Sequence, residues 1–274
     1  MQKTFQYNNA TVVYAISGRG TPVVLLHGFG ETGSIWNLQV QFLKEHCMLI
    51  VPDLPGSGKS AFSNEERETR NEKRDTLEYY VESIYALLKH EGIEECIMLG
   101  HSMGGYITLA FAEKYPELLK RFGLINSTAF EDSDEKKSMR KKGIEIIEEY
   151  GAYHFLKTTI PNLFADKCKK EYPEKVEQLI EDAKAFSKKA LQDYYRAMMN
   201  RPDRTHTLKS SKLPVLFVLG TEDNAVVLND ALPQVHLPDI SYIHILEKVG
   251  HISMWEDAAA LNNHLLAFIN NESL

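Results

Sequence analysis

Several features that define large classes of protein are missing from this sequence. It has no uninterrupted apolar run of the roughly 18 residues that a membrane-spanning helix requires, and its first residues lack the apolar core and small-residue cleavage site of a secretory signal. Its three cysteines, Cys47, Cys96 and Cys168, lie far apart without CxxC spacing, which argues against a disulfide framework and a zinc site. We therefore expect a reduced, cytoplasmic protein with no membrane span.

Positive charge is also in deficit. Lys and Arg total 31 against 38 Asp and Glu, a formal net charge of −7, which argues against a nucleic-acid partner because such proteins carry a basic patch. No HExxH or EF-hand spacing occurs, so the sequence implies neither a metal nor a cofactor. The remaining composition, 43% hydrophobic and 25% charged over 274 residues, is that of a globular protein with a large core.

Apolar runs and helical spacing alternate along most of the chain. Short runs that end at glycine or proline predict strands at residues 12–16, 22–26, 48–51, 96–99, 122–125, 214–219 and 242–246. Helical spacing predicts helices over 76–90, over 106–115 and from about 258 to 269. The polar residues 63–75 predict an exposed loop or the start of a helix. This alternation indicates βαβ units, hence an α/β fold class with a mostly parallel sheet.

Strand signals disappear between residues 128 and 210. Charged runs there alternate with helical apolar spacing, and strand signals resume only afterwards. We therefore expect residues 1–127 and 211–274 to form one α/β core and residues 128–210 to form an inserted helical cap. A cap would cover the site with its own side chains. Because many of these are aromatic or methionine, they favour a substrate with an apolar part.

The segment Gly100–Gly104 matches the pattern G-x-S-x-G, with an apolar strand before it and a helix after it. A serine on such a tight turn is exposed above the sheet, and the flanking glycines let neighbouring backbone approach without a Cβ clash. The helix that begins there directs free N–H groups and its dipole at the site. The pattern therefore predicts Ser102 as a nucleophile.

A serine hydroxyl needs a general base, and the base needs an orienting acid. Among ten histidines, His251 follows a strand and a glycine turn, which places it at the carboxyl end of that strand, where open α/β sheets build their sites. Asp223 follows the strand at 214–219 in the same way, with Glu222 as its nearest rival. We predict His251 as the base and Asp223 as the acid. His27 and His101, beside glycine turns, are expected to be structural.

Five motifs together resemble the α/β-hydrolase superfamily over nearly the whole chain. They are HGFG at 27–30, DLPGSGKS at 53–60, GHSMGG at 100–105, GTEDNAV at 220–226 and VGH at 249–251. The order Ser102, Asp223, His251 is the order of that family. The resemblance implies an α/β-hydrolase fold, a twisted and mostly parallel sheet flanked by helices, with an inserted helical cap. It also implies an oxyanion hole formed by the backbone N–H groups of Phe29 and Met103.

The resemblance implies a serine hydrolase that acts on a carboxylic ester, or a related acyl bond, of a small and partly apolar substrate. Serine at the elbow argues against haloalkane dehalogenases and epoxide hydrolases, which use Asp there. Carbon–carbon bond hydrolases, thioesterases, lactonases and perhydrolases share the serine triad and stay open. A small-molecule receptor with slow turnover on the same fold is the second hypothesis. These patterns leave the oligomeric state open.

Overall fold

One eight-stranded sheet organises the computed structural model, which describes residues 1–8, 10–60 and 74–271. Its strands lie in the order β1-β2-β4-β3-β5-β6-β7-β8. The first two pairings, β1 with β2 and β2 with β4, are antiparallel, and all later ones are parallel. The strands are β1 (Gln2–Tyr7), β2 (Ala10–Ser17), β3 (Pro22–Leu26), β4 (Met48–Pro52), β5 (Cys96–His101), β6 (Leu119–Ile125), β7 (Val215–Gly220) and β8 (Ser241–Leu246).

Helices make up most of the rest of the described chain. They are α1 (Asn37–Leu43), α2 (Leu77–His90), α3 (Met103–Lys114), α4 (Asp134–Tyr150), α5 (Ala152–Thr159), α6 (Asp166–Glu171), α7 (Pro173–Asp182), α8 (Lys188–Asn200), α9 (Thr205–Ser210), α10 (Leu228–Ala231), α11 (Ser253–Glu256) and α12 (Ala258–Asn270). Over the described residues, no helix combines the length and apolar character needed to cross a bilayer.

The sheet confirms the predicted α/β class. Every residue of β5 and of β7 is buried, as expected of central parallel strands that are covered on both faces. Strand β5 runs two residues past its predicted end because Gly100 and His101 still pair with β6. The extension matters, since Ser102 then follows the strand directly.

Some elements lie outside the sequence prediction. The edge strand β1 and the short helix α1 were not predicted as separate elements, and in β1 only Phe5 is buried. The expected exposed loop at residues 63–75 falls mostly outside the described residues, which resume at residue 74.

Only helices and their connections occur between β6 and β7. Helices α4 to α9 span residues 134–210, and we call them the helical block. Helix α4 packs against α5 and α8 within the block. Residues 126–133, which connect β6 to α4, are not helical, so helical structure begins six residues later than the predicted cap boundary. The division into core and cap stays a prediction.

Candidate active site

Four loops that follow parallel strands meet at one edge of the sheet. Ser102 comes directly after β5, and Phe29 lies in the loop after β3. Asp223 and His251 lie in the loops after β7 and β8. The carboxyl ends of parallel strands share one edge, which is where open α/β sheets place ligand sites. The sheet therefore brings the predicted side chains to the same side of the molecule.

Ser102 occupies a strained turn between β5 and α3. Its φ is +52°, a left-handed conformation that non-glycine residues rarely adopt. Hydrogen bonds on both sides hold it: Ser102 N donates to Ile125 O at 3.0 Å, and Gly105 N donates to Ser102 O at 2.9 Å. The Ser127 hydroxyl donates to the same carbonyl at 2.7 Å. The surrounding backbone thus enforces the geometry expected of a nucleophile elbow.

The glycines of the elbow are required by close backbone approach. A Cβ on Gly100 would lie 2.1 Å from Gly104 O, and a Cβ on Gly104 would lie 2.5 Å from Leu26 O. Neither carbonyl can move without disturbing α3 or β3. The spacing G-x-S-x-G therefore follows from packing of the turn against its neighbours.

Asp223 and His251 form a buried, hydrogen-bonded pair. Asp223 Oδ2 lies 2.8 Å from His251 Nδ1, and the two residues are 4% and 3% exposed. Burial raises the pKa of Asp223, but the charge and hydrogen bond of His251 outweigh it, so this pKa is lowered. Burial lowers the pKa of His251, but Asp223 outweighs it, so this pKa is raised above 6.5. With Nδ1 directed at the carboxylate, Nε2 is left for another partner.

The rival carboxylate takes no part in this pair. Glu222 is exposed, and its carboxylate accepts a hydrogen bond from Asp166 N at 3.2 Å. Asp223 instead accepts from the backbone N–H groups of Ala225 and Val226, both at 2.8 Å, through its second oxygen. The geometry therefore favours Asp223 as the partner of His251.

Asn126 supports the pair, and sequence reasoning missed it. Its Nδ2 donates to Asp223 Oδ2 at 3.0 Å and to Gly250 O at 3.1 Å. Asn126 follows β6 directly and has a φ of +47°, a conformation that Asn tolerates better than most residues. Its position at the carboxyl end of a central strand was the available signal, but that position alone does not identify its partner.

Ser102 and His251 line one cavity but are not hydrogen bonded to each other. The cavity has a volume of about 140 Å³. Among the described residues, the Ser102 hydroxyl and the His251 imidazole make no mutual hydrogen bond. Such contacts are often long in ligand-free enzymes and tighten when substrate binds.

The loop after β3 supplies one of the two predicted oxyanion donors. Within the described chain, neither Phe29 N–H nor Met103 N–H donates to a protein acceptor. The loop is anchored by Gly28 N, which donates to Glu31 Oε2 at 2.7 Å. His27 Nε2 accepts from Leu54 N at 2.9 Å. Two unused N–H groups on anchored backbone are what an oxyanion hole requires.

Glu31 also binds His101, which links the loop after β3 to the elbow. His101 Nδ1 lies 2.9 Å from Glu31 Oε2, and His101 Nε2 lies 2.9 Å from the carbonyl of His251. Both ring nitrogens of His101 thus face oxygens that only accept hydrogen bonds. Burial raises the pKa of Glu31, but His101 and the bond from Gly28 N outweigh this effect, so the net pKa of Glu31 is lowered. Both contacts are compatible with a structural role for His101, which stays a prediction.

The helical block contacts the site through side chains and through backbone. Tyr195 of α8 stacks on Phe29 with ring centroids 4.3 Å apart and an interplanar angle of 3°. His251 N donates to Leu163 O at 2.7 Å. In the described part of the chain, no group of three or more His, Cys, Asp or Glu side chains is placed to hold a metal ion.

Known proteins match this chain over most of its length. A family model described as alpha/beta hydrolase fold matches residues 21–144. The chain is 29% identical over 91% of its length to a Pseudomonas putida protein named dihydrolipoyllysine-residue acetyltransferase component of acetoin cleaving system, and it spans 64% of that protein.

A second relative and a solved structure match nearly end to end. The relative is named 2-hydroxy-6-oxononadienedioate/2-hydroxy-6-oxononatrienedioate hydrolase, from Paraburkholderia phymatum. It is 27% identical, with 94% of this chain and 90% of that protein covered. The structure is a thermophilic esterase from Thermogutta terrifontis, with a TM-score of 0.89 and 24% identity over 99% of this chain and 98% of that one. The likeness to the esterase shows a shared fold.

Proposed function

The chain belongs to the α/β-hydrolase superfamily, and we propose that it is a serine hydrolase that cleaves a carboxylic ester, or a related acyl bond, of a small and partly apolar substrate. The observation that carries this proposal is the 2.8 Å contact between Asp223 and His251 beside the cavity that Ser102 lines. The names of its relatives, which include a hydrolase and an esterase, support it.

In this mechanism Ser102 is the nucleophile, and His251 acts first as a base and then as an acid. Ser102 Oγ attacks the substrate carbonyl carbon while His251 Nε2 accepts the hydroxyl proton, and Asp223 stabilises the resulting imidazolium. The backbone N–H groups of Phe29 and Met103 donate to the oxyanion that forms. The alcohol leaves with the proton from His251. A water molecule, deprotonated by His251, then attacks the acyl carbon. The bond to Ser102 Oγ breaks, His251 returns the proton to that oxygen, and the acid leaves.

We also propose that residues 128–210 act as a cap over Ser102. Three features support this role: the stacking of Tyr195 on Phe29, the bond from His251 N to Leu163 O, and the apolar side chains that α5, α7 and α8 place around the cavity. A cap of this kind excludes water and selects the substrate by shape.

Hydrolysis of short 4-nitrophenyl esters by the purified protein tests the proposal, together with covalent labelling of Ser102 by a fluorophosphonate. We expect multiple turnovers, and labelling that Ser102→Ala abolishes. Thioesters and lactones of matched acyl length, assayed in parallel, rank the acyl bonds. A protein that binds such compounds but neither turns over nor is labelled is a receptor, and the hydrolase proposal is then wrong.

A further inference from the structure

Arg140 of α4 lines the same cavity as Ser102 and His251. Its side chain is 19% exposed. Most of the surrounding wall is apolar, with contributions from Leu156, Ile160, Leu163, Leu179, Met198 and Val226. A cation in such a wall is costly to desolvate unless it is paired. What compensates its charge therefore decides what the cavity can bind.

One carboxylate serves two arginines at this position. Arg140 Nε lies 2.6 Å from Asp132 Oδ2, and Arg201 Nη1 lies 2.9 Å from Asp132 Oδ1. Among the residues described, neither arginine forms an ion pair with another carboxylate. Burial raises the pKa of Asp132, but the two arginines lower it by more than that. The net pKa of Asp132 is therefore below its usual value, and the carboxylate is ionised. The cluster is left with one uncompensated positive charge.

The unused donors that line the cavity belong to Arg140. Among the described residues the Nε of Arg201 also has no partner, but it is buried and Arg201 does not line the cavity. Arg201 donates to the carbonyls of Met198 and Phe130 at 2.8 and 3.0 Å. Arg140 uses Nε and one Nη2 proton on Asp132, and across the described chain its Nη1 donates to no protein acceptor. The cluster therefore carries one uncompensated positive charge, and Arg140 is its member that presents free N–H groups to the cavity.

The other charged groups on the cavity wall are already paired. Glu31 is bound to His101, and His251 is bound to Asp223. Burial raises the pKa of Tyr195, which also lines the cavity, to about 12, so its phenol stays neutral. The electrostatic preference of the cavity away from the triad is therefore set by Arg140.

On the basis of the proposed function, we propose that the acyl part of the substrate carries a second, ionised carboxylate, which Arg140 binds while Ser102 attacks the ester carbonyl. Guanidinium pairs with carboxylate through charge-assisted bonds of matching planar geometry. The cavity, at about 140 Å³, is small beside the ~300–1,000 Å³ of ordinary ligand pockets, so the acyl chain is short. The substrate class is the hemiesters of short dicarboxylic acids, whose hydrolysis consumes water and releases a dicarboxylate, an alcohol and a proton.

Paired substrates test this assignment. Methanol release is measured from monomethyl succinate and monomethyl glutarate and from the matching neutral dimethyl esters. We expect the wild-type protein to favour the hemiesters in kcat/KM by about tenfold or more. Arg140→Gln should lower kcat/KM for the hemiesters by roughly 10- to 100-fold, mainly through KM, because a hydrogen-bonded charge contact is lost. The loss on the dimethyl esters should be much smaller. The ratio of kcat/KM for a hemiester to kcat/KM for its dimethyl ester should therefore fall toward one.

Two further variants separate charge, geometry and folding. Arg140→Lys keeps the positive charge but lacks the planar guanidinium, so its ratio of hemiester to dimethyl ester kcat/KM should be intermediate. If Arg140→Gln fails to fold, Arg140→Lys provides the test. Lys141→Gln removes an exposed charge from the next position of α4 and should keep the wild-type ratio. A purely structural role for Arg140 would lower both rates equally, and that result, or equal wild-type rates on both esters, overturns the assignment.

A binding measurement separates this inference from the proposed function. Glutarate is titrated calorimetrically into the Ser102→Ala protein, which cannot turn over. Binding that is lost when Arg140→Gln is added supports the anion site even if no ester is cleaved. The absence of glutarate binding contradicts the anion site, while hydrolysis of a neutral 4-nitrophenyl ester still upholds the serine hydrolase.

Discussion

The loops at the edge of the sheet and the helical block hold their side chains by different means. Ser102 is fixed by a backbone hydrogen bond to Ile125 O, and Asp223 accepts two backbone N–H groups. Tyr195 in the block is instead held by stacking on Phe29 at 4.3 Å. Hydrogen bonds fix direction as well as distance, whereas packing tolerates exchanges that conserve volume.

This difference predicts which kinetic constant each region controls. Groups that act on the developing transition state change kcat when altered, whereas groups that bind ground and transition states alike change KM. Substitutions at the sheet edge should therefore act mainly on kcat, and substitutions in the helical block mainly on KM and on substrate preference.

Ser102→Ala should have the largest effect. Removing the nucleophile should lower kcat by roughly 10⁴–10⁶-fold while thermal unfolding stays close to wild type, because triad members act as a unit. The matched change Ser127→Ala removes only one hydrogen bond to the Ser102 carbonyl and should cost a small fraction of that. Near-normal activity of Ser102→Ala would mean that the nucleophile lies elsewhere.

Asp223→Asn should lower kcat by about 10⁴-fold. The amide is nearly isosteric, but its NH₂ group favours the wrong imidazole tautomer of His251. Glu222→Gln is the matched control, because the neighbouring side chain is exposed and makes no contact with His251 among its described bonds. Steady-state kinetics on one ester compares the two, and a larger loss from Glu222→Gln would refute the choice of carboxylate.

Gly30→Ala tests the contact between the loop after β3 and the helical block. It should lower kcat by about 10- to 100-fold. Gly30 has a φ of +70°, and an added Cβ would lie 2.6 Å from Leu156 Cδ2 of the block. A left-handed backbone costs a non-glycine residue about 1–2 kcal/mol. Relief of both strains should displace the adjacent Phe29 N–H, and losing one oxyanion donor entirely costs ~10²–10³-fold.

Two comparisons divide this effect into backbone strain and contact with the block. Gly92 has a φ of +67° with no described atom within 4 Å of an added Cβ, so Gly92→Ala should destabilise the fold without lowering activity. Adding Leu156→Ala to Gly30→Ala removes the clash but keeps the backbone strain, so it should restore part of kcat. No recovery would mean that the block does not press on the loop after β3.

The sequence was sufficient to predict Ser102, Asp223 and His251 because each follows an apolar strand and lies on a short loop. These signals are local, as are those of the central strands. The sequence already favoured Asp223 over Glu222, and the structure adds a physical basis for that choice, because Asp223 contacts His251 whereas Glu222 accepts from Asp166 N.

Arg140, Glu31 and Asn126 could not be predicted because their roles depend on distant partners. Arg140 lies in a run of charged residues that resembles a solvated helix face, and its position on the cavity depends on the packing of α4 against α8. Glu31 finds His101 70 residues away, and Asn126 finds Asp223 97 residues away. No spacing rule along the chain connects such pairs.

The smallest predicted effect is a displacement of the pH profile, and it tests the sheet edge alone. His251 accepts the Ser102 proton only as a neutral imidazole, so kcat/KM should rise with pH and then level off. Burial lowers the pKa of His251, but Asp223, with smaller contributions from Glu31 and Glu256, raises it, so the midpoint should lie above 6.5.

In Asp223→Asn the main raising charge is absent and burial dominates, so the midpoint of the residual activity should move to more acid pH. Rates on a neutral ester from acid to mildly alkaline pH measure both midpoints. A wild-type profile that falls through this range would mean that His251 acts as an acid in the free enzyme, which is incompatible with a serine nucleophile.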